Sequence, residues 1–427
     1  MFYTADLHIH SHYASKTSKY LNLDTLYQWA QVKGIDVVGS GDFTHPAWLA
    51  TLKERLLPDG NGFFYLKNMP VATALPGIRP SHKDLRFCLS AEVSTEYIHE
   101  NKKRVVHHLL YAPDFETVKK INKKLGTYAD LSADGRPTII LSSRSLMEIV
   151  LEASDRAYLV PAHAWTPWNA VFGSKNGHLS LEECYGDLSA HIFALETGLS
   201  SDPAMNRRWN KLDHITMMSN SDAHSPAKLG RELNLFDTNC SYEDLFNAVK
   251  TKKGFVGTHE FFPEEGKYTY DGHRHCGVCI SPVESRDIGA ICPVCKKQLT
   301  IGAMHQLDRL TGHLATTQSA SNKDFKHVVP LLEILAEIHG TGTDSKKVTG
   351  AFHKAIAAFG NEFSVLRNVP VEDIHRFSPL LGTAISRMRA GEIKRIEPGY
   401  DNVYGKIHLF DKAELTGSGI GQLDIFS

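Results

Sequence analysis

The sequence has almost no net charge: 47 basic side chains stand against 48 acidic ones over 427 residues, giving −1 with histidine neutral. A chain that grips nucleic acid by bulk positive charge is not written in that balance, although a balanced total can conceal a basic cleft. No stretch approaches the ~20 apolar residues that span a bilayer. Asp6 stands where a secretory leader would carry its apolar core, so a cytoplasmic chain is expected. Cysteine is sparse, seven in all. Four form a tight cluster (Cys276, Cys279, Cys292, Cys295) and three are single (Cys88, Cys184, Cys240), which suits metal binding in a reducing compartment better than a disulfide framework. There is no convincing internal repeat. With 42% apolar and 22% charged residues, neither a disordered tail nor a collagen-like fibre is possible. What the chain has in abundance is histidine, 23 residues, and a length beyond what one core usually serves, so two or three domains are expected.

Up to about residue 260, short β-branched apolar runs alternate with longer amphipathic ones, the pattern of βα units rather than hairpins. The expected strands are Phe2 to Leu7, Ile35 to Gly39, Phe87 to Ala91, Arg104 to Leu110, Ala157 to Val160, Ile192 to Leu195 and Ile215 to Met218. A helix is predicted from a cap at Asn22 to a stop at Gly34, with Leu23, Leu26, Tyr27, Ala30 and Val32 on one side. Seven such units point to a closed barrel, with an open doubly wound sheet as the alternative. The expected division is 1–260 for the barrel, 261–305 for the cysteine segment, 306–415 for a mainly helical region and 416–427 for a flexible tail. In the helical region, Val328 to Ile338, Lys346 to Phe359 and Pro379 to Arg389 read as helices, and Gly391 to Phe410 reads as a hairpin.

Polar residues gather at the predicted strand ends, where metal sites in βα barrels are built. His8 and His10 follow the first strand and share a side by alternation. Asp42 and His45 follow the second, Glu92 the third and His163 the fifth. His107 lies on the fourth, and Asp222 and His224 close the last. One such histidine alone would be an ordinary hydrogen-bonded core residue; eight or nine together point to a multinuclear site, because imidazole with carboxylate suits Zn, Mn or Fe. Of the 23 histidines, 14 precede residue 260, and five of those (His8, His10, His107, His163 and His224) coincide with expected ligand positions.

The motifs Asp6 to Ser11, Asp42, Ala91-Glu92, Val106-His107, Ala162-His163 and Asn220 to His224 resemble, in order and spacing, those of the PHP (polymerase and histidinol phosphatase) superfamily. The resemblance implies the fold class α/β, a distorted (β/α)7 PHP barrel, here followed by a four-cysteine zinc ribbon and a mainly helical C-terminal region. It also implies phosphoester hydrolysis and two or three divalent ions (Zn2+, Mg2+ or Mn2+) held by His8, His10, Asp42, Glu92, His107, His163, Asp222 and His224. Two positions depart from the family. Phe43 follows Asp42 where the family has histidine, a role that is either missing or taken by His45; Ser15 stands where an Asp or His is common, which bears on one of the three metals. His107 and His108 are adjacent and only one can face inward; the family pattern favours His107. Such ions lower the pKa of bound water from about 15.7 toward ~7 and clamp the oxygens of an in-line displacement. Glu92 or Asp222 would bridge them, and Asp222 or His163 would orient the attacking hydroxide.

The spacing Cys276-x-x-Cys279, twelve residues, Cys292-x-x-Cys295 predicts one structural Zn2+ in a ribbon. His273 and His275 flank it as possible substitutes, and Lys296-Lys297 offers cations to a phosphate backbone.

A metabolite phosphatase needs neither the ribbon nor the residues after it, so a macromolecular substrate is expected. Basic groups precede the third strand (Arg79, His82, Lys83, Arg86) and the fourth (Lys102, Lys103, Arg104). Tyr13, Trp165, Trp168 and Phe172, with Lys175, lie near ligands in sequence and could stack on an extruded base instead of packing the core. From Asp6 to Ala14, through Phe261 to Tyr268 and the knuckles, to Pro398-Gly399-Tyr400-Asp401, the chain is similar to the endonuclease Q family of DNA repair enzymes. That resemblance implies a break 5′ to deaminated bases (uracil, hypoxanthine, xanthine) or abasic sites in DNA, leaving 3′-hydroxyl and 5′-phosphate ends. Spacing and composition by themselves support metal-dependent hydrolysis of a large polyanion. Gln422 to Phe426 resembles a shortened sliding-clamp-binding motif. A small-molecule phosphatase with an oligomerisation module, and a non-catalytic DNA-binding barrel, are the competing readings; the retained His8, His10, Glu92, Asp222 and His224 argue against the second.

Overall fold

The computed structural model describes residues 1–68, 85–312 and 324–417. All seven expected strands form: β1 (Phe2–Asp6), β2 (Val37–Gly39), β3 (Arg86–His99), β4 (Lys102–Ala112), β5 (Tyr158–Pro161), β6 (Ala194–Glu196) and β7 (Thr216–Met218). β1, β2 and β3 run parallel, with Ala5 opposite Val37 and Val37 opposite Arg86. β4 is antiparallel to β3 and β5 is antiparallel to β4, while β6 and β7 are parallel. The ring closes beyond the formal strands. The Ala164 N–H donates to the Glu196 carbonyl (2.9 Å) between β5 and β6, and Ile9 bridges Ala223 between β7 and β1. The arrangement is the barrel expected of the fold, not an open sheet.

One connection differs from the expected βα repeat. β3 and β4 form a long hairpin with no intervening helix. The turn explains it: Glu100 and Asn101 both take positive φ (49° and 58°), the two-residue geometry whose twist matches paired antiparallel strands. Its register sets the site. Glu92 pairs with Leu109 and Ser94 with His107, so Glu92 and His107 share one face and His108 takes the other.

The first helix, α1 (Leu23–Lys33), ends where its caps dictate. Asn22 and Thr25 make a reciprocal capping box, and Gly34 closes the helix at φ 83°. Leu23, Leu26, Tyr27 and Ala30 pack into the barrel core, whereas Val32 joins a second core with the C-terminal helices. There Lys33 and Glu362 form a buried ion pair, of the kind that costs about 3–5 kcal/mol when one partner is removed.

The sheet continues past the barrel through β8 (Leu233–Asp237) and β9 (Phe255–Phe261), and then through β10 (Phe325–Val328), which lies parallel to β9. Val328 is thus a strand residue, and the helix expected there starts at Leu331, behind the N-cap Pro330. Helices Lys346–Phe359 and Pro379–Ala390 and the hairpin of Arg395–Glu397 with Lys406–His408 follow the expected pattern. The cysteine segment is a small hairpin, Asp271–His273 against Val278–Ile280. It is fastened to the helix Ala303–Thr311 through Asp271, which accepts from the Gly302 N–H (2.8 Å) and meets His305 Nδ1 (2.5 Å). No helix among the described residues is long and apolar enough to cross a membrane.

Candidate metal centre

At the barrel mouth the polar groups converge on one fully buried carboxylate, Glu92. Its Oε2 faces His10 Nε2 (3.2 Å) and His8 Nε2 (3.5 Å), and both imidazoles also face Asp222 Oδ1 (3.1 and 3.4 Å). Its Oε1 faces His107 Nδ1 (2.7 Å) and His163 Nε2 (3.1 Å). Two ligand sets result, His8/His10/Glu92/Asp222 and Glu92/His107/His163, and within each the donor atoms lie within 4.8 Å of one another. Glu92 belongs to both.

These donors suit divalent cations. His8 Nε2 is buried without a hydrogen bond of its own, aimed at two carboxylates. Burial would lower the His8 and His10 imidazoles, but the surrounding carboxylates (Glu196, Asp222 and Glu92 for His8; Asp42 first for His10) hold both well above the ordinary histidine value. Burial would likewise raise Glu92, yet His107, Arg136 and His8 hold it well below the usual carboxylate range. A centre with such an appetite for positive charge, made of imidazole and carboxylate, is one that Zn2+, Mn2+ or Mg2+ can satisfy.

A second layer aims the first. Both oxygens of buried Glu196 lie 3.0 Å from His8 Nδ1, which leaves Nε2 facing the centre. Glu196 also accepts from the His163 N–H (2.8 Å) and from Asn220 (2.9 Å). Asp42 performs the same service for His10 Nδ1 (3.0 Å) and accepts from both the N–H and hydroxyl of Ser11 (2.6 Å each). Arg231 ties the Ser221 and Asp222 carbonyls together (2.8 and 3.4 Å). Asp42, His163 and Asp222 all hold positive φ (47°, 29° and 45°), conformations that cost free energy and persist because the surroundings fix them.

Of the expected ligands, His8, His10, Glu92, His107, His163 and Asp222 come together. Asp42 sits behind His10 instead of in either set. His224 lies at the rim, its ring 4.8 Å from that of His10 and its Nδ1 on the Asp222 carbonyl (2.9 Å). His45 caps the helix Pro46–Arg55 and bonds the Ser132 carbonyl (3.1 Å), so it does not fill the gap left by Phe43. His108 is spent on Thr95 and Tyr185 (3.0 Å each).

Two of the aromatic expectations need correction. Trp165 and Phe172 are buried together with Trp209, and the Trp165 indole N–H donates to Asn206, so they are core and present no face to a base. Trp168 is 39% exposed, edge-on to Tyr268, and Tyr13 is half-buried, stacked on His45. Lys175 is exposed. Arg86 and Arg104 are engaged internally, with Asp59 and Glu183, whereas Arg79, His82, Lys83 and the segment Gln422 to Phe426 lie outside the described residues.

In the cysteine segment, Cys276, Cys292, Cys295 and His273 draw together, while Cys279 turns its Sγ to the Pro398 carbonyl (3.6 Å). The Cys295 and Val294 N–H groups pull the Cys292 thiol down to about 6, the thiolate a zinc ion requires.

Glu196 and Arg136 escaped the sequence reading. Glu196 directly follows the predicted strand Ile192 to Leu195, the one strand credited with no polar end. Arg136 lies in a loop without periodicity, 3.1 Å from Glu92 Oε2.

Comparison with known proteins reaches the whole chain. Residues 330–392 match the family model of the MJ0043 C-terminal domain. The uncharacterized protein MJ0043 of Methanocaldococcus jannaschii is 27% identical over 253 residues, 57% of this chain but 31% of that one, so the chain spans about a third of that relative's length. The uncharacterized protein YqxK of Bacillus subtilis is 27% identical over 94% of this chain and 98% of its own. Among solved structures, the lesion-specific endonuclease PfuEndoQ from Pyrococcus furiosus is 29% identical with a TM-score of 0.81, over 98% of this chain and 99% of that one. Endonuclease Q in complex with a 27-mer duplex bearing an abasic lesion at the active site gives 29% identity and a TM-score of 0.83, over 99% and 100%. The chain is therefore similar to endonuclease Q along nearly its entire length.

Proposed function

We propose that this chain is a metal-dependent DNA repair endonuclease that hydrolyses the phosphodiester 5′ to uracil, hypoxanthine, xanthine or an abasic site, leaving 3′-hydroxyl and 5′-phosphate ends. The observation that carries the reading is the shared Glu92 carboxylate between two histidine sets, in a chain similar end to end to a lesion-specific endonuclease. The division of labour would follow the expected boundaries, with hydrolysis in 1–260, the zinc segment in 261–305 and the helical region in 306–415. Action in the cytoplasm, and clamp docking through Gln422 to Phe426, complete the proposal; loss of clamp binding on deleting 422–427 tests the latter.

Divalent ions held by His8, His10, Glu92 and Asp222, and by Glu92, His107 and His163, would supply Lewis acidity and an acidified water. The chain's own groups do the rest. Glu196 and Asp42 keep the protons of His8 and His10 on Nδ1, so both Nε2 lone pairs face inward. Thr166 meets His163 Nδ1 (3.1 Å) and fixes that ring. Asp222, 27% exposed where Glu92 is sealed, is the carboxylate positioned to take the proton of the attacking water.

The test is incubation with end-labelled duplexes bearing uracil, hypoxanthine, an abasic site or no lesion, in Mg2+, Mn2+, Zn2+ or chelator. A metal-dependent nick 5′ to the lesion is expected; absence of any lesion-dependent nick refutes the function. Asp222→Asn with full activity at full metal occupancy refutes the role of Asp222.

A further inference from the structure

Beside the two ligand sets lies a cavity of about 540 Å³ lined by His107, by the cations Arg136, Lys16 and Lys103, and by the carboxylates Asp134 and Glu96, of which Glu96 is paired with Lys103 (2.6 Å). Arg136 is its link to the centre. Nη1 donates to Glu92 Oε2 at 3.1 Å, and the side chain remains 26% exposed. A guanidinium carries five donors in a rigid fork. Among the described residues, Nε and Nη2 meet no acceptor, so the fork is spent on one side and open on the other.

The loop that presents it is pinned from every direction. The Gly135 N–H donates to the Tyr13 carbonyl (2.9 Å), and Thr44 Oγ1 donates to the Gly135 carbonyl (3.2 Å). Asp134 accepts from the N–H groups of Arg136 (2.9 Å) and Ser15 (3.1 Å), and from the Ser15 hydroxyl. The Ser94 N–H holds the Pro137 carbonyl (3.0 Å). Gly135 is jammed against the centre itself: a Cβ there would stand 2.6 Å from Asp42 Oδ2 and 2.7 Å from the Ala14 nitrogen. A counterion needed only to neutralise Glu92 could be walled in like Glu92. This one is instead held on a braced turn, still partly exposed, on the wall of an open cavity.

Resting on the endonuclease reading, we propose that Arg136 grips a non-bridging oxygen of the scissile phosphate, stabilising the charge that accumulates there as the bond to the leaving oxygen breaks. Planar, charge-assisted bonds to phosphate are what the guanidinium fork provides and a lysine cannot fully replace.

The test compares Arg136→Met and Arg136→Lys with the wild-type full chain in three readouts: bound metal, single-turnover cleavage of an abasic duplex, and binding of that duplex in chelator across a salt series. Expected for R136M are wild-type metal content, a rate constant lower by roughly 100-fold or more with a far smaller change in half-saturation, and a salt slope reduced by about 1. R136K should recover part of the binding but little of the rate. A rate loss that merely tracks lost metal, or an unchanged rate, overturns the proposal. If the wild-type chain leaves lesion duplexes uncut, the function above falls, and the chelated binding arm still decides Arg136: unchanged affinity and salt slope in R136M overturn it.

Discussion

Replacing Glu196 with glutamine probes the centre without touching either ligand set. The carboxylate accepts on both oxygens: Oε1 from Asn220 Nδ2 (2.9 Å), Oε2 from the His163 N–H (2.8 Å), and both lie 3.0 Å from His8 Nδ1. A glutamine has one acceptor oxygen, so in either rotamer its NH2 confronts a buried donor. The Asn220 amide cannot turn to oblige, because its Oδ1 already accepts from the Leu7 N–H (2.8 Å) and Asn234 (2.9 Å). One orphaned buried donor costs about 1–3 kcal/mol of stability. Separately, a weaker anchor for His8 lowers metal affinity by about 10–100-fold, the usual cost of losing such an outer partner, or about 1.4–2.8 kcal/mol. Urea denaturation of chelated protein measures the first effect, and competition with a chromophoric chelator measures the second. E196Q with wild-type stability and wild-type metal affinity would refute the assignment of Glu196 as the anchor of His8.

Three further perturbations separate structural from functional roles. Trp165→Ala should cost about 3–5 kcal/mol as a core cavity in urea unfolding, while Trp168→Ala changes stability by no more than about 0.5 kcal/mol; similar values for both would contradict the burial that distinguishes them. Cys292→Ser should release one zinc equivalent per chain, measured by elemental analysis, and leave the barrel's metal content unchanged. Burial pushes the Glu260 carboxyl up to about 7, against the Ser219 and Thr258 hydroxyls that pull it down. A raised acid favours folding while protonated, so this contribution is full below the unfolded carboxyl's value near 4.5 and is lost as pH rises through about 7. Glu260→Gln should flatten the fall in melting temperature between pH 5 and 8, and an unaltered profile counts against it.

Legibility of the fold tracked how local each cause is. The α1 boundaries could be read because Asn22, Thr25 and Gly34 decide them within one stretch of chain. The β3–β4 hairpin could not, because its turn takes two positive φ values at Glu100-Asn101, with no glycine to mark them. β10 escaped the reading, and its last residue, Val328, opened the expected helix, because its partner β9 lies far away in sequence and an isolated apolar run does not declare whether a sheet edge awaits it.

The same rule sorts the site. Candidate ligands at or near the predicted strands recur in one backbone context, so His8, His10, Glu92, His107, His163 and Asp222 could be picked out by position, although Glu92 and His107 lie within long strands and not at their ends. What that reading could not assign was depth. Asp42 and Glu196 have the same chemistry as Glu92, and only the third dimension makes one the hub and the others its supports. Nearness in sequence misled for the same reason: Trp165 follows His163 by two residues, yet its ring turns into the core while the histidine turns to the centre. Arg136 marks the limit. Nothing periodic surrounds it, and its importance arises from a braced loop that folds back onto Glu92 from 44 residues away. The groups that gather around Glu92 therefore lie on the strands or just past them and can be found by position, whereas the depth of Asp42 and Glu196 and the approach of Arg136 exist only in the folded chain.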